Sequence, residues 1–337
     1  MVKLSVCIVT YNHAKCIAQC IDSVLMQKTN FLFEIIVGED DSKDGTRDIV
    51  KKYKARYPHK IKLLLNKRED VIYVDGEPTS AKNFVNVLKN ARGQYIALLD
   101  GDDYWTNPDK LQKQVDFLEE HSECVMCCHP VLFKFEDGRP ELCKPDVLKE
   151  FYTIEDVLKG TYIATSSVVF KTGLIKEFPD WFYKLKMGDR PLYFLLTQYG
   201  KIGSLNEVMG VYRFHSGGTW STKTIDLRRD AVIKMYEYIY DYVMADPVLR
   251  LNRNIIGIVA DGYLHLAHLY KGRNNFAKAK SSVYKCLNLS PFCRGIACRS
   301  FFKGLLKLYL PPIYGIGRHI RKLWRGLYAV SMKLSAL

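Results

Sequence analysis

Acidic residues stop at Asp261, and the chain continues to Leu337 without another. The 14 Lys and Arg that follow account for the whole formal charge of +14, so the chain through Asp261 is balanced. That pattern excludes a uniformly basic protein and gives the C-terminal region a separate task among anions. Also missing is an uninterrupted apolar run of roughly 18 residues, the length a spanning helix needs, because Lys or Arg breaks every long one. The opening Met1-Val2-Lys3-Leu4 leads straight into a strand-like stretch, without the basic region, apolar run and cleavage site of a secretory leader. These absences predict a cytoplasmic protein, and the ten cysteines, mostly inside apolar segments, suit reduced buried thiols there. The run Cys124-Val125-Met126-Cys127-Cys128-His129 lacks a second ligand pair at matching spacing, which favours a core strand over a zinc site.

What is present is enough for a large core. The 337 residues, 48% hydrophobic, predict one large domain with a smaller appendage. Over the first 135 residues, short apolar runs alternate with segments of helical period, which predicts βαβ units around a largely parallel sheet. Leu4–Val9, Phe33–Val37, Ile61–Leu65 and Tyr95–Leu99 read as strands. Ile17, Cys20, Ile21, Val24 and Leu25 form the apolar stripe of an intervening helix. Ile49, Val50 and Tyr53 mark a second helix, and Phe84, Val87 and Leu88 a third. Three polar clusters follow strands: Thr10-Tyr11-Asn12-His13, Glu39 to Gly45, and Asp100-Gly101-Asp102-Asp103. Loops at the C-terminal ends of parallel strands converge, so these three predict one site. From about residue 222 the pattern becomes helical, and Gly262 to Pro291 resembles a single tetratricopeptide-like helix pair acting as a cap. The expected domains are 1–222, catalytic; 223–291, helical; and 292–337, a basic amphipathic tail.

Three carboxylates within Asp100 to Asp103 repel one another unless a cation joins them. A hard divalent ion such as Mg²⁺ or Mn²⁺ takes oxygen ligands and keeps places for substrate phosphates. A solvated acidic turn is the other reading, since Asp and Gly favour turns by themselves. In the second loop, Asp44 and Thr46 read as caps of the next helix, and Glu39 and Asp40 as acceptors for a ligand's hydrogen bonds.

Four ordered segments resemble the successive motifs of family-2 glycosyltransferases: Ser5 to Asn12, Glu34 to Thr46, Gly93 to Asp103, and Tyr212 to Gly218. The resemblance spans about residues 3 to 222. It implies an α/β GT-A fold, a mostly parallel sheet flanked by helices, followed here by an α-helical C-terminal region. It implies that Thr10, Tyr11, Asn12, Glu39 and Asp40 hold the base and ribose of a nucleotide diphosphate sugar. Glu39 stands where the family commonly has Asp, and Asp41 where it has Gly. Ala81-Lys82-Asn83 matches an Ala-Arg-Asn segment near the nucleotide, with Lys82 in place of Arg and its bidentate geometry lost. Asp100 and Asp102 match the family's Asp-x-Asp, Asp102 as metal ligand and Asp100 near the ribose, sugar or metal. The implied cofactor is Mn²⁺ or Mg²⁺, set against the negative charge that the departing diphosphate gains. Asp189 matches the catalytic Asp of a Glu-Asp pair, with Gly188 replacing the Glu. Ionised at neutral pH, Asp189 can take a proton from the acceptor hydroxyl; its other reading is a helix N-terminal carboxylate. Arg213 is placed on phosphate oxygens and His215 on the metal or the diphosphate, with Gly217 and Gly218 permitting close approach or movement as a lid. Trp105 lines the acceptor cleft or anchors the core, and Thr161 to Ser167 forms a cleft floor or packs.

The tail from residue 292 mixes aromatic and aliphatic residues with nine Lys or Arg and no acid. An interfacial helix on an anionic membrane competes there with nucleic-acid binding and with an ordinary helical face. No nucleic-acid motif accompanies the charge, so no nucleic-acid partner is expected. The reading is an inverting, metal-dependent glycosyltransferase acting on a glycan or lipid-linked acceptor, cytoplasmic and peripheral to the membrane. The alternatives are a metal-dependent nucleotidyltransferase and an inactive scaffold with a basic tail.

Overall fold

The computed structural model describes residues 1–145, 148–218, 220 and 223–289; the basic tail and the end of the helical segment lie outside them. The chain divides into two compact units, Met1–Ile239 and a second beginning at Tyr240. In the first, eight strands form the main sheet: β1 (Leu4–Thr10), β2 (Phe33–Glu39), β3 (Ile61–Leu65), β4 (Tyr95–Asp100), β5 (Cys124–Cys128), β6 (Phe151–Tyr152), β7 (Val169–Lys171) and β8 (Lys201–Ser204). Their order is β6-β8-β5-β7-β4-β1-β2-β3. The run β4-β1-β2-β3 is parallel throughout. The short β7 breaks this polarity, lying antiparallel to both β4 and β5. The expected Cys-rich segment is β5, buried along its whole length, with free thiols.

Both faces of β1 and β2 are covered, which is why they read as continuous apolar runs rather than alternating ones. Helix α1 (Ile17–Leu25) buries Ile17, Cys20, Ile21 and Val24, while α2 (Thr46–Arg56) buries Val50 and packs Ile49 and Tyr53 against the core. Helix α3 (Ala81–Lys89) comes so near β2 that a Cβ on Gly38 would lie 2.0 Å from Asn83 Oδ1 and 2.5 Å from Val87. Asn83 uses the same proximity to donate from Nδ2 to the Gly38 carbonyl at 2.9 Å. Glycine at 38 therefore sets the distance between helix and sheet.

Helix α4 (Lys110–Glu120) brings an unusual group inside. Lys110 is fully buried, donates to Gln114 Oε1 at 2.6 Å, and lies 4.1 Å from the centre of the Trp105 ring. Burial pulls its ammonium down to about 7. Trp105 is itself buried and donates from Nε1 to the Ser166 carbonyl at 2.7 Å, so it anchors the core beneath the acidic loop.

Tyr104–Trp105 begins a second, four-stranded sheet with Gly210–Phe214, Val131–Phe135 and Leu142–Lys144. A hairpin of Ile72–Val74 and Glu77–Thr79 stands alone, turning through Asp75 and Gly76, both at positive φ. Helix α5 (Asp189–Leu196) completes the elements that carry the site.

The unit boundary falls inside α6 (Ile225–Ala245). In the second unit α7 (Pro247–Leu251) is followed by α8 (Arg253–Gly272) and α9 (Phe276–Leu289). The last two are consecutive helices, the first starting at Arg253 rather than at Gly262, with Val259, Tyr263, Leu266 and Ala267 buried on one and Ala279, Val283 and Cys286 on the other. Asp246 and Asn252 cap α7 and α8 by accepting backbone N–H groups. Among the described residues, no helix is long and apolar enough to cross a membrane.

Candidate active site

Parallel register brings the three polar clusters together. Thr10 pairs with Glu39 across β1 and β2, and Val9 with Asp100 across β1 and β4. Two further backbone bonds gather the strand exits: Asp40 N–H to the Thr10 carbonyl at 3.1 Å, and Gly101 N–H to the Val9 carbonyl at 2.9 Å. Strand β1 has β2 on one side and β4 on the other, so the crevice opens where the order reverses. A cleft of about 310 Å³ lies there. Its walls include Thr10, Tyr11, Asp40, Asp100, Asp102, Asp189 and Arg213, with Tyr162 to Thr165 along one side.

Not every residue expected at the ligand reaches the wall. The Glu39 carboxylate is buried and turned inward, accepting from Ser42 N–H at 2.6 Å and from the Arg47 guanidinium. Asn12, at φ 55°, joins two loops: its N–H donates to Ser42 Oγ at 2.9 Å and its Oδ1 accepts from Lys43 N–H at 3.0 Å. Lys82 pairs with Asp70 at 2.8 Å on the surface and lines a neighbouring cavity. Asp40 remains at the wall, its carboxyl raised by burial against the opposing charge of Arg68. The Arg68 guanidinium lies 4.5 Å from the centre of the Tyr11 ring.

The acidic loop is stressed by its own charge. Burial, with Asp102 and Asp189 nearby, pushes the Asp100 carboxyl up to about 8. Burial, with Asp102 and Asp100 nearby, also raises Asp103, whose Oδ1 accepts from Arg213 N–H at 2.9 Å. Asp102 goes the other way: burial opposes its charge, but a 3.0 Å bond from His215 and the charge of His13 outweigh it. His13 Nε2 lies 3.6 Å from the same Asp102 oxygen, and its Nδ1 is 3.2 Å from Thr10 Oγ1. Burial lowers His13, whereas the Asp102 hydrogen bond raises His215.

An excess of carboxylate in a partly dry crevice fits a hard divalent ion, which would favour the ionised forms of Asp100 and Asp103. Among the described residues, no three His, Cys, Asp or Glu side chains are arranged around one point to hold a metal. Such an ion would draw the rest of its ligands from water and substrate oxygen.

Asp189 occupies the first turn of α5, where the helix dipole favours its charge. At Gly188, a Cβ would sit 3.1 Å from the Phe84 ring, so the site accommodates the missing Glu side chain by having none. Arg213 stacks 4.5 Å over Tyr104 and donates to Gln19. His13, Arg68, Lys186, Arg190 and Lys223 also line the cleft and were not among the expected site residues. His13 stood in the first polar cluster, but its approach to Asp102 is a tertiary contact that local pattern does not encode.

The family description "Glycosyl transferase family 2" matches residues 5–177. An uncharacterized protein of Mycobacterium tuberculosis is 34% identical over 227 residues, 67% of this chain and 63% of that one, so the match spans less than two thirds of the relative's length. A putative teichuronic acid biosynthesis glycosyltransferase of Bacillus subtilis, TuaG, is 31% identical over 65% of this chain and 82% of its own. The crystal structure of Staphylococcus aureus TarS 1–349 superposes with a TM-score of 0.56 at 18% identity, covering 94% of this chain and 92% of that one.

Proposed function

The chain belongs to glycosyl transferase family 2, and from that premise we propose that it transfers a sugar from a nucleotide diphosphate donor to an acceptor hydroxyl with inversion. The observation that carries this reading is the shared cleft: Asp189 at one wall, and Asp40, Asp100 and Asp102 at the sheet edge. Tyr11, Asp40 and Arg68 bind the nucleoside, the arginine and tyrosine faces offering a stacked surface. Asp102 and His215 would hold Mn²⁺ or Mg²⁺, with Asp100 beside them. When bound, the ion supplies positive charge against the diphosphate as the glycosidic bond breaks. Arg213 stabilises the same charge from the protein side. Asp189 accepts the acceptor's proton as that oxygen attacks the anomeric carbon in line.

TuaG is a putative glycosyltransferase of teichuronic acid biosynthesis, which supports a glycan or lipid-linked acceptor in polysaccharide assembly. The basic tail is proposed to keep the enzyme at the inner, anionic face of the membrane. The catalytic assignment is tested by Asp189→Asn, which keeps shape and removes the proton acceptor. Turnover should fall by about 10²-fold or more while donor affinity stays within a few fold. Near-normal turnover would place the base elsewhere.

A further inference from the structure

One wall of the cleft carries cations that the donor chemistry above leaves unused. Lys186 and Arg190 flank Asp189 in sequence, Lys223 follows the last strand of the second sheet, and all three line the cleft. The side chains of Lys186 and Lys223 are only 10% and 11% exposed, yet their ion pairs are loose, 3.7 Å to Asp75 and 3.9 Å to Glu77. Those two carboxylates are 60% and 52% exposed, on the solitary hairpin, and Asp75 is shared with Lys234 at 3.0 Å. Arg190 is half-buried, and its side chain makes no hydrogen bond or ion pair among the described residues.

Cations drawn this far from water are stabilised only by a well-placed anion. Asp75 and Glu77 reach the two lysines only at 3.7 and 3.9 Å, and the Arg190 side chain has no ion pair among the described residues, so these cations are left incompletely neutralised. In the reading above, the diphosphate is met at the sheet edge by Arg213 and by the cation that Asp102 and His215 would hold. We propose that Lys186, Arg190 and Lys223 seat an anionic group, phosphate or carboxylate, on the acceptor segment next to the hydroxyl that Asp189 deprotonates. The carboxylates of Asp75 and Glu77 hold the two lysines until that acceptor arrives. Arg190 supplies the planar fork for bidentate contact, and the lysines supply point charges. This inference rests on the glycosyltransferase reading and specifies its acceptor.

The test measures binding to the full chain by calorimetry with Mn²⁺ present. The ligands are UDP, GDP, a short polyol-phosphate oligomer, a uronic-acid oligosaccharide and a neutral oligosaccharide of equal length. One or both anionic oligomers should bind at least tenfold more tightly than the neutral one, the better of the two identifying the anion. Lys186→Gln and Arg190→Gln should each remove most of that preference, with affinity for the nucleoside diphosphate unchanged within about twofold. Asp75→Asn with Glu77→Gln, which leaves the cleft wall itself intact, should tighten anionic binding. Equal binding of neutral and anionic oligomers overturns the proposal. So does a parallel loss of nucleoside diphosphate affinity, which would assign these cations to the donor. Failure of the unsubstituted chain to bind either nucleoside diphosphate would instead sink the glycosyltransferase reading itself.

Discussion

Asp102 holds its charge at neutral pH because two histidines face one of its oxygens, while Asp100, two residues away, is driven toward the neutral acid by burial and its neighbours. That contrast makes Asp102 the carboxylate already prepared to ligate a cation. Asp102→Ala should abolish the Mn²⁺ dependence of nucleoside diphosphate binding in calorimetry while the chain still folds, with a lowered unfolding midpoint because His215 loses its 3.0 Å partner. Equal metal dependence in the variant would remove Asp102 from the site. At this scale the sequence was informative about residue type and weaker about direction. Glu39 and Asp40 are neighbours in one acidic run, but strand alternation sends Glu39 to Arg47 and leaves Asp40 at the cleft wall. The loss of a side chain at Gly188 likewise acquires a reason only when Phe84, far off in sequence, is seen beneath it.

Among elements, β1, β2 and β4 were legible because each is a compact apolar run that is almost wholly buried, and a buried run reads the same in sequence as in space. The edge strand β3 was legible from its apolar residues although Lys62 and Leu65 are exposed. Strand β1 extends one residue beyond its expected end, to Thr10, and β4 one beyond, to Asp100, so the first polar residue of each site loop still belongs to the sheet. Strands β6 and β7 and the second sheet were not legible. Strands of two to five residues carry too little periodicity, and their pairing is set by partners distant in sequence. The contact of α3 with β2 is the element-level feature most open to test. Gly38→Ala forces Asn83 and Val87 to move, and should cost about 1–3 kcal/mol in urea unfolding, the usual scale of overpacking. Because Asn83 also lines the cleft, donor binding should weaken with it. An unchanged midpoint would show that α3 shifts freely.

For the whole molecule, stability and metal binding are linked through protons. An unfolded Asp titrates near 3.9, whereas Asp100 is held at about 8, and Asp103 is raised too. Between those values the native state keeps protons that the unfolded chain has released, so these groups make stability fall as pH rises from about 4 to 8. Asp102, lowered instead, loses its contribution only on the acid side. Buried His13 and His129, both lowered, act in the opposite sense below about 6.5. Without metal it is therefore the share of these two carboxyls in the melting temperature that should decline across that window, and the rise produced by Mn²⁺ should grow with pH. An Asp100→Asn, Asp103→Asn variant should lose that share of the slope; an unaltered slope would place its origin elsewhere. The tail gives a second prediction at this scale. The chain through Asp261 is formally neutral, and nine of the remaining positive charges fall within residues 292–337. At about 1 kcal/mol for each cation near an anionic surface, plus inserted aromatic groups, these suffice for reversible attachment. Truncation after residue 291 should release the protein from anionic vesicles in co-sedimentation and leave nucleoside diphosphate binding intact. Both forms remaining in the supernatant would end the membrane reading.

The buried pairing of Lys110 with Trp105 has an optical consequence for the folded chain as a whole. An ammonium 4.1 Å from the ring centre perturbs the indole's excited state, and that ammonium changes charge near pH 7. The same indole is bonded to the turn at Ser166 and follows directly on the acidic loop. Its emission colour is therefore set by a proton deep in the core and by the posture of the loop above it. The indole beneath the acidic loop should therefore emit differently on either side of neutrality.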